Sequence, residues 1–96
     1  MKVRYTPTAR NDLEAIYLFL DKRSPATAQV VKRTIERRIA QLADFPLIAP
    51  VTDIPDVREM TVVRFPYKIY YLVDNDEVRI LHIRHTSRRP PGEFGF

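Results

Sequence analysis

The chain has 96 residues, 45% of them hydrophobic and 29% charged, with no cysteine, two histidines and a formal net charge of +4. A chain this short reads as one domain, 1–96, that buries only roughly 60 to 65% of the surface its unfolded form exposes, and its composition excludes the disordered class. Without cysteine there are no disulfides, no thiolate catalysis and no cysteine-bound zinc; no run nears the ~18 consecutive apolar residues of a membrane span, and Met1-Lys2-Val3-Arg4-Tyr5 lacks a secretory signal, so a cytoplasmic protein is expected.

Val3 and Tyr5 alternate with Lys2 and Arg4, which predicts a short strand ended by Thr6-Pro7, because the residue before proline is pushed to extended geometry. Thr8 then reads as the N-cap of a helix over about 8–22. Ala9, Leu13, Ile16, Tyr17 and Leu20 form its apolar stripe, with Asp12 and Glu14 near the positive end of its dipole. Ser24-Pro25 repeats the start signal, a cap followed by proline where the missing N–H costs nothing. The second helix, about 25–43, carries the inward stripe Ala28, Val31, Ile35, Ile39 and Leu42 and ends before Phe45-Pro46. Two amphipathic helices so closely joined predict an antiparallel hairpin.

Residues 44–56 hold Pro46, Pro50 and Pro55 with Asp44, Asp53 and Asp56, which predicts an irregular crossing segment. Strands follow at about 57–64, 67–73 and 78–85, joined at Phe65-Pro66 and at Asp74-Asn75-Asp76-Glu77, where Asn and Asp tolerate left-handed geometry. The order β-α-α-β-β-β predicts an α+β domain, with the helical hairpin packed on one face of a mostly antiparallel sheet. The tail after Arg88, with Pro90-Pro91-Gly92, is expected to leave the sheet.

Charge placement says more than the total. Residues 1–48 carry 9 Lys and Arg against 5 Asp and Glu, and residues 49–96 carry 7 against 7. Lys32, Arg33, Arg37 and Arg38 crowd the second helix, Arg79, Arg84, Arg88 and Arg89 crowd the end, and an acidic turn lies between. Such clusters suit an anionic target, though a helical one is more often a solvated outer face. Alternation puts Arg58, Met60, Val62 and Arg64 on one side if no bulge intervenes, and Arg79, Leu81, Ile83 and His85 on a side opposite to His82 and Arg84. His82 and His85 then face apart, which makes them poor co-ligands for a metal. Tyr70 and Tyr71 also face apart, so at most one can stack on a base while the other is core. Metal-free RNA cleavage needs an acid, a base and cations around the phosphorane. His85 can act as acid or base, Glu59 is a secondary base, and Arg58, Arg64, Lys68, Arg84 and Arg88 can supply charge, although arginines at strand ends also serve as plain surface ion-pair partners.

Val57-Arg58-Glu59, Arg64-Phe65-Pro66-Tyr67 and Arg84-His85-Thr86-Ser87-Arg88, with Asp12-Leu13-Glu14-Ala15-Ile16 and Leu42-Ala43-Asp44-Phe45-Pro46, resemble toxins of the RelE/ParE superfamily of type II toxin–antitoxin modules. These segments run through nearly the whole chain in the family's order. The longer helical hairpin resembles the ParE branch, whose members poison DNA gyrase without being enzymes and are associated with plasmid stabilisation. That resemblance implies target-binding through Arg58, Lys68, Arg84, Arg88 and Arg89. The alternative it implies is a ribosome-dependent messenger-RNA endoribonuclease with His85, Arg64 and Arg84 as catalytic residues. Several such nucleases keep a tyrosine near the end, whereas here the last tyrosine is Tyr71 and the tail offers Phe94 and Phe96. The resemblance further implies no cofactor and a cognate antitoxin whose disordered segment folds over apolar helix surface, at Leu13, Tyr17, Leu20 and Val31, in a hetero-oligomer. A relic that only binds its antitoxin is the third possibility.

Overall fold

The structure is a computed structural model that describes residues 1–86. Its elements run β1 (Lys2–Tyr5), α1 (Pro7–Asp21), α2 (Pro25–Gln41), β2 (Arg58–Val62), β3 (Tyr67–Asp74) and β4 (Glu77–His85). The predicted order and class therefore hold. The strands form one sheet in the order β1-β4-β3-β2, antiparallel except where β1 runs parallel to β4.

The core lies between one face of this sheet and the helical hairpin. The stripe Ala28, Val31, Ile35, Ile39 and Leu42 is buried throughout, as its 3.6-residue spacing predicts. It meets Met60, Val62, Ile69, Tyr71, Ile80 and Ile83 from the sheet. On α1 the stripe is buried at Ala9 and Leu13 and half-buried at Ile16, Tyr17 and Leu20.

Two local expectations need correction. The N-cap of α1 is Thr6, not Thr8: its Oγ1 accepts from Ala9 N at 3.1 Å and donates to Ile80 O at 2.8 Å. Pro7 takes the first helical position, so the proline that ends β1 also starts the helix. In consequence Asp12 and Glu14 lie beyond the first turn, where the dipole gives them little.

The second correction concerns β4. Tyr70 pairs with His82 and Tyr71 with Ile80, which leaves Leu81 as an extra residue. A bulge of this kind shifts the side-chain phase by one. Ile80, Ile83 and His85 thus share the helix-side face, while Arg79 joins His82 and Arg84 on the open face; the expected grouping of Arg79 with Leu81, Ile83 and His85 is broken. His82 and His85 still face apart.

Segment 42–57 is irregular yet firmly held. Tyr71 Oη donates to Pro46 O at 2.9 Å and accepts from Ala49 N at 3.4 Å. Arg58 Nη1 donates to Ala49 O at 2.7 Å and to Leu47 O at 3.3 Å. An isolated bridge between Val51 and Arg58 then brings the chain along the outer edge of β2.

Three non-glycine residues have positive φ: Asp56 at 65°, Arg64 at 86° and Asn75 at 56°. Asp and Asn visit this region readily, whereas a long side chain does so at a cost. Arg64 lies in the turn beyond β2, outside its alternation. Its turn is held by strand pairing at Val62–Tyr67 and by Thr86 N donating to Pro66 O at 2.7 Å. Replacing Arg64 with glycine should therefore raise unfolding stability by about 1 kcal/mol. Urea denaturation checks this, and Arg64→Ala should give no such gain.

Candidate functional site

The open face of the sheet, away from the helices, is polar because β3 and β4 alternate and the β4 bulge keeps their cations in phase. Cross-strand pairing makes two rows: Glu59, Tyr70 and His82, then Thr61, Lys68 and Arg84. Within them Glu59 accepts from Tyr70 Oη at 2.8 Å and from Lys68 Nζ at 3.3 Å. Tyr70 is only 3% exposed. Burial, followed by the bond and charge of Glu59, pushes its hydroxyl far above the usual phenol range, and Arg84 offsets this in part.

A raised folded pKa means that the fold favours the neutral phenol. Its contribution to stability is complete below the ordinary value of 10.0 and is lost as pH rises beyond it. Ultraviolet titration should therefore show Tyr70 ionising only with alkaline unfolding. In Tyr70→Phe, that late step should shrink by one tyrosine.

Further along the face, Arg79 bonds Glu77 at 2.9 Å and Asp74 at 3.2 Å, and Arg4 lies 3.4 Å from Glu77. The bonds from Arg79 hold the Glu77 carboxyl below the usual carboxylate range. Arg79 and Arg4 are thus engaged with Glu77 and Asp74 of the acidic turn, and Lys68 and Arg84 are the cations toward the far end of the sheet.

At that end a groove of about 660 Å³ opens between α1, the start of α2, the β2–β3 turn and the end of β4. Ile16, Phe19 and Leu20 make its apolar wall, and Asp12, Arg84 and His85 supply its polar groups. His85 packs edge-on against Tyr67, with ring centroids 5.4 Å apart. Asp12 Oδ2 accepts from Ile83 N at 3.0 Å and stands 3.4 Å from His82 Nδ1. Sequence reasoning missed this pairing of Asp12 with β4, since the partners are 71 residues apart.

The predicted site residues are distributed around these features. Lys68 and Arg84 occupy the open face, and both Arg84 and His85 border the groove. Arg64 is exposed at the turn, its guanidinium 5.6 Å from the Phe65 ring, which also lines the groove. Arg58 is turned to the carbonyls of Leu47 and Ala49. Arg88 and Arg89 lie outside the described residues. Of the apolar candidates, Leu13 and Val31 are buried in the core, Leu20 lines the groove, and Tyr17 is half-buried beneath Lys32. On α2, Arg33 bonds Gln29 O and Arg38 bonds Gln41, so this cluster is partly occupied with its own helix.

A sequence profile of the family described as ParE toxin of type II toxin-antitoxin system, parDE, matches residues 3–90. Among individual proteins, Y4kP of Sinorhizobium fredii, a candidate toxin, is 29% identical over 90 residues, covering 94% of this chain and 93% of its own length. Among solved structures, a chain of the chromosomal ParDE system from P. aeruginosa superposes with a TM-score of 0.82 at 26% identity, over 91% of this chain and 97% of that one. A chain of the toxin–antitoxin complex RelBE2 from Mycobacterium tuberculosis superposes with a TM-score of 0.61 at 25% identity, over 88% and 95%. The chain belongs to the ParE toxin family of type II toxin–antitoxin systems.

Proposed function

We propose that this toxin arrests growth by binding DNA gyrase through its cationic open face, and that a cognate antitoxin neutralises it. The observation that carries the reading is the likeness to the ParDE chain along 91% of this one, together with the adjacent Lys68 and Arg84 on the open face. The target-binding residues are Lys68 and Arg84, with Arg88 and Arg89 continuing the basic segment and Arg58 supporting it from the edge of the sheet. The antitoxin segment lies in the groove, against Leu20, Phe19 and Ile16, with Tyr17 at its margin. An acidic segment there also meets Arg84. Leu13 and Val31 support the groove from the core.

Induction without antitoxin, followed by pulse labelling, tests the target. Early loss of DNA synthesis is the expected result, and purified toxin should inhibit supercoiling by purified gyrase. Arg84→Glu should weaken that inhibition at least tenfold.

A second reading, a ribosome-dependent messenger-RNA endonuclease, is favoured by one feature: His85 and Arg84 share the groove mouth, beside the Arg64 turn. His85 would be acid or base and the arginines would stabilise the phosphorane. Under it translation stops first and His85→Gln abolishes toxicity, whereas a gyrase poison tolerates that change.

A further inference from the structure

Arg64 sits where its residue type resists sitting. Its φ of 86° lies in the left-handed region, where a side chain with a Cβ strains the backbone and glycine does not. Asp56 and Asn75, the other two residues with positive φ, are types that visit this region readily. A strained arginine at an exposed turn points to a use for its side chain.

Within the fold that side chain does little to offset the strain. It is exposed, and among the described residues its guanidinium makes no hydrogen bond or ion pair. Its one contact is the Phe65 ring, at 5.6 Å from the centroid, near the outer limit of a cation–π attraction. Other cations are differently engaged: Arg58 serves the carbonyls of Leu47 and Ala49, Lys68 meets Glu59, and Arg4 and Arg79 meet the acidic turn.

The place of this charge is specific. Phe65 and Pro66 line the groove on the side of the β2–β3 turn, with Ile16, Phe19 and Leu20 on the side of α1. Arg64 therefore stands at the groove's lip, stacked on a ring that lines it. A guanidinium so placed keeps its N–H edge for a planar, two-pronged acceptor such as a carboxylate. The apolar wall selects a peptide as the bearer of that group, since a phosphodiester chain would set its charges against Ile16, Phe19 and Leu20.

We propose that Arg64 is a binding residue of the groove: the strained turn holds its guanidinium at the lip, where it takes a carboxylate of the antitoxin segment beside an apolar residue packed on Phe65. This rests on the reading of the groove as the antitoxin site. The turn thus trades stability of the free toxin for a contact made in the complex.

The test titrates purified toxin with its full-length cognate antitoxin, recovered from the co-expressed complex, at low and high salt. Wild type is compared with Arg64→Gly, Arg64→Lys and Phe19→Ala, and the free toxins are also unfolded in urea. The expected result is opposite signs in Arg64→Gly: a higher urea midpoint, but antitoxin binding roughly five- to tenfold weaker and less dependent on salt. Arg64→Lys keeps both charge and strain, so most of the affinity and the salt dependence remain. Phe19→Ala trims a wall side chain that is 48% exposed and also weakens binding. Wild-type affinity in Arg64→Gly, with binding still weakened in Phe19→Ala, overturns the role of Arg64 and leaves the antitoxin in the groove. Equal losses in Arg64→Gly and Arg64→Lys with unchanged salt dependence also overturn it, because the antitoxin then reads the turn and not the charge. If neither Arg64→Gly nor Phe19→Ala alters binding, the groove is not the antitoxin site and both readings fall.

Discussion

Replacing Tyr71 with alanine should destabilise the protein by about 3 to 5 kcal/mol, the range for deleting a buried aromatic side chain. Tyr71 is fully buried among Ile69, Ile80 and the helix stripe, so the core cannot close over the void without moving β3. Replacing it with phenylalanine keeps the ring and removes only the hydroxyl. That leaves Pro46 O and Ala49 N without their partner, at a cost of about 1 to 3 kcal/mol. The longer 3.4 Å bond to Ala49 N is the weaker of the two, so most of the loss comes from Pro46 O. Urea denaturation should place the phenylalanine variant between wild type and alanine. Hydrogen exchange should locate the difference, because Tyr71→Phe frees the amide of Ala49 while the amides of α2 stay protected. If the phenylalanine variant unfolds with the wild-type midpoint, the Tyr71 hydroxyl adds nothing to the Arg58 and backbone bonds that hold the crossing segment.

What the sequence discloses here is local and periodic, and what it conceals is long-range. The α2 stripe from Ala28 to Leu42 was legible because each member repeats at helical spacing and needs no partner to be recognised. The turn at Asn75 was legible for a similar reason, since left-handed geometry selects its residues. The bulge at Leu81 was not, because an inserted residue in an apolar strand leaves no mark in the alternation until the partner strand is in place. The same limit hid the role of Arg58. Its exposed-looking charge reads as a target contact, and only the return of segment 42–57 along β2 supplies the carbonyls it serves. Alternation already sets Arg84 and His85 on opposite faces, and that separation survives the bulge because both lie beyond it; that the two also border one groove depends on the placement of α1 and cannot be read locally.

Replacing Asp12 with alanine should cost about 1 to 3 kcal/mol, for a reason peculiar to this topology. The pairing of β1 with β4 ends at Tyr5 and Ile80, so the β4 backbone beyond Ile80 has no strand beside it there. Thr6 Oγ1 donates to Ile80 O and the carboxylate of Asp12 accepts from Ile83 N, and together they stand in for the missing ladder. Alanine leaves the Ile83 N–H half-buried and unmet. Asparagine keeps an acceptor at the same reach but loses the charge facing His82, so it should recover most of the loss. Guanidinium unfolding of the three proteins checks this ranking. Because Asp12 also lines the groove with Arg84 and His85, the two variants separate its roles. If asparagine restores stability but weakens antitoxin binding, the negative charge helps to set the potential of the groove. If both recover together, Asp12 is a hydrogen-bond acceptor that fastens α1 to β4, and its charge does not set the potential of the groove.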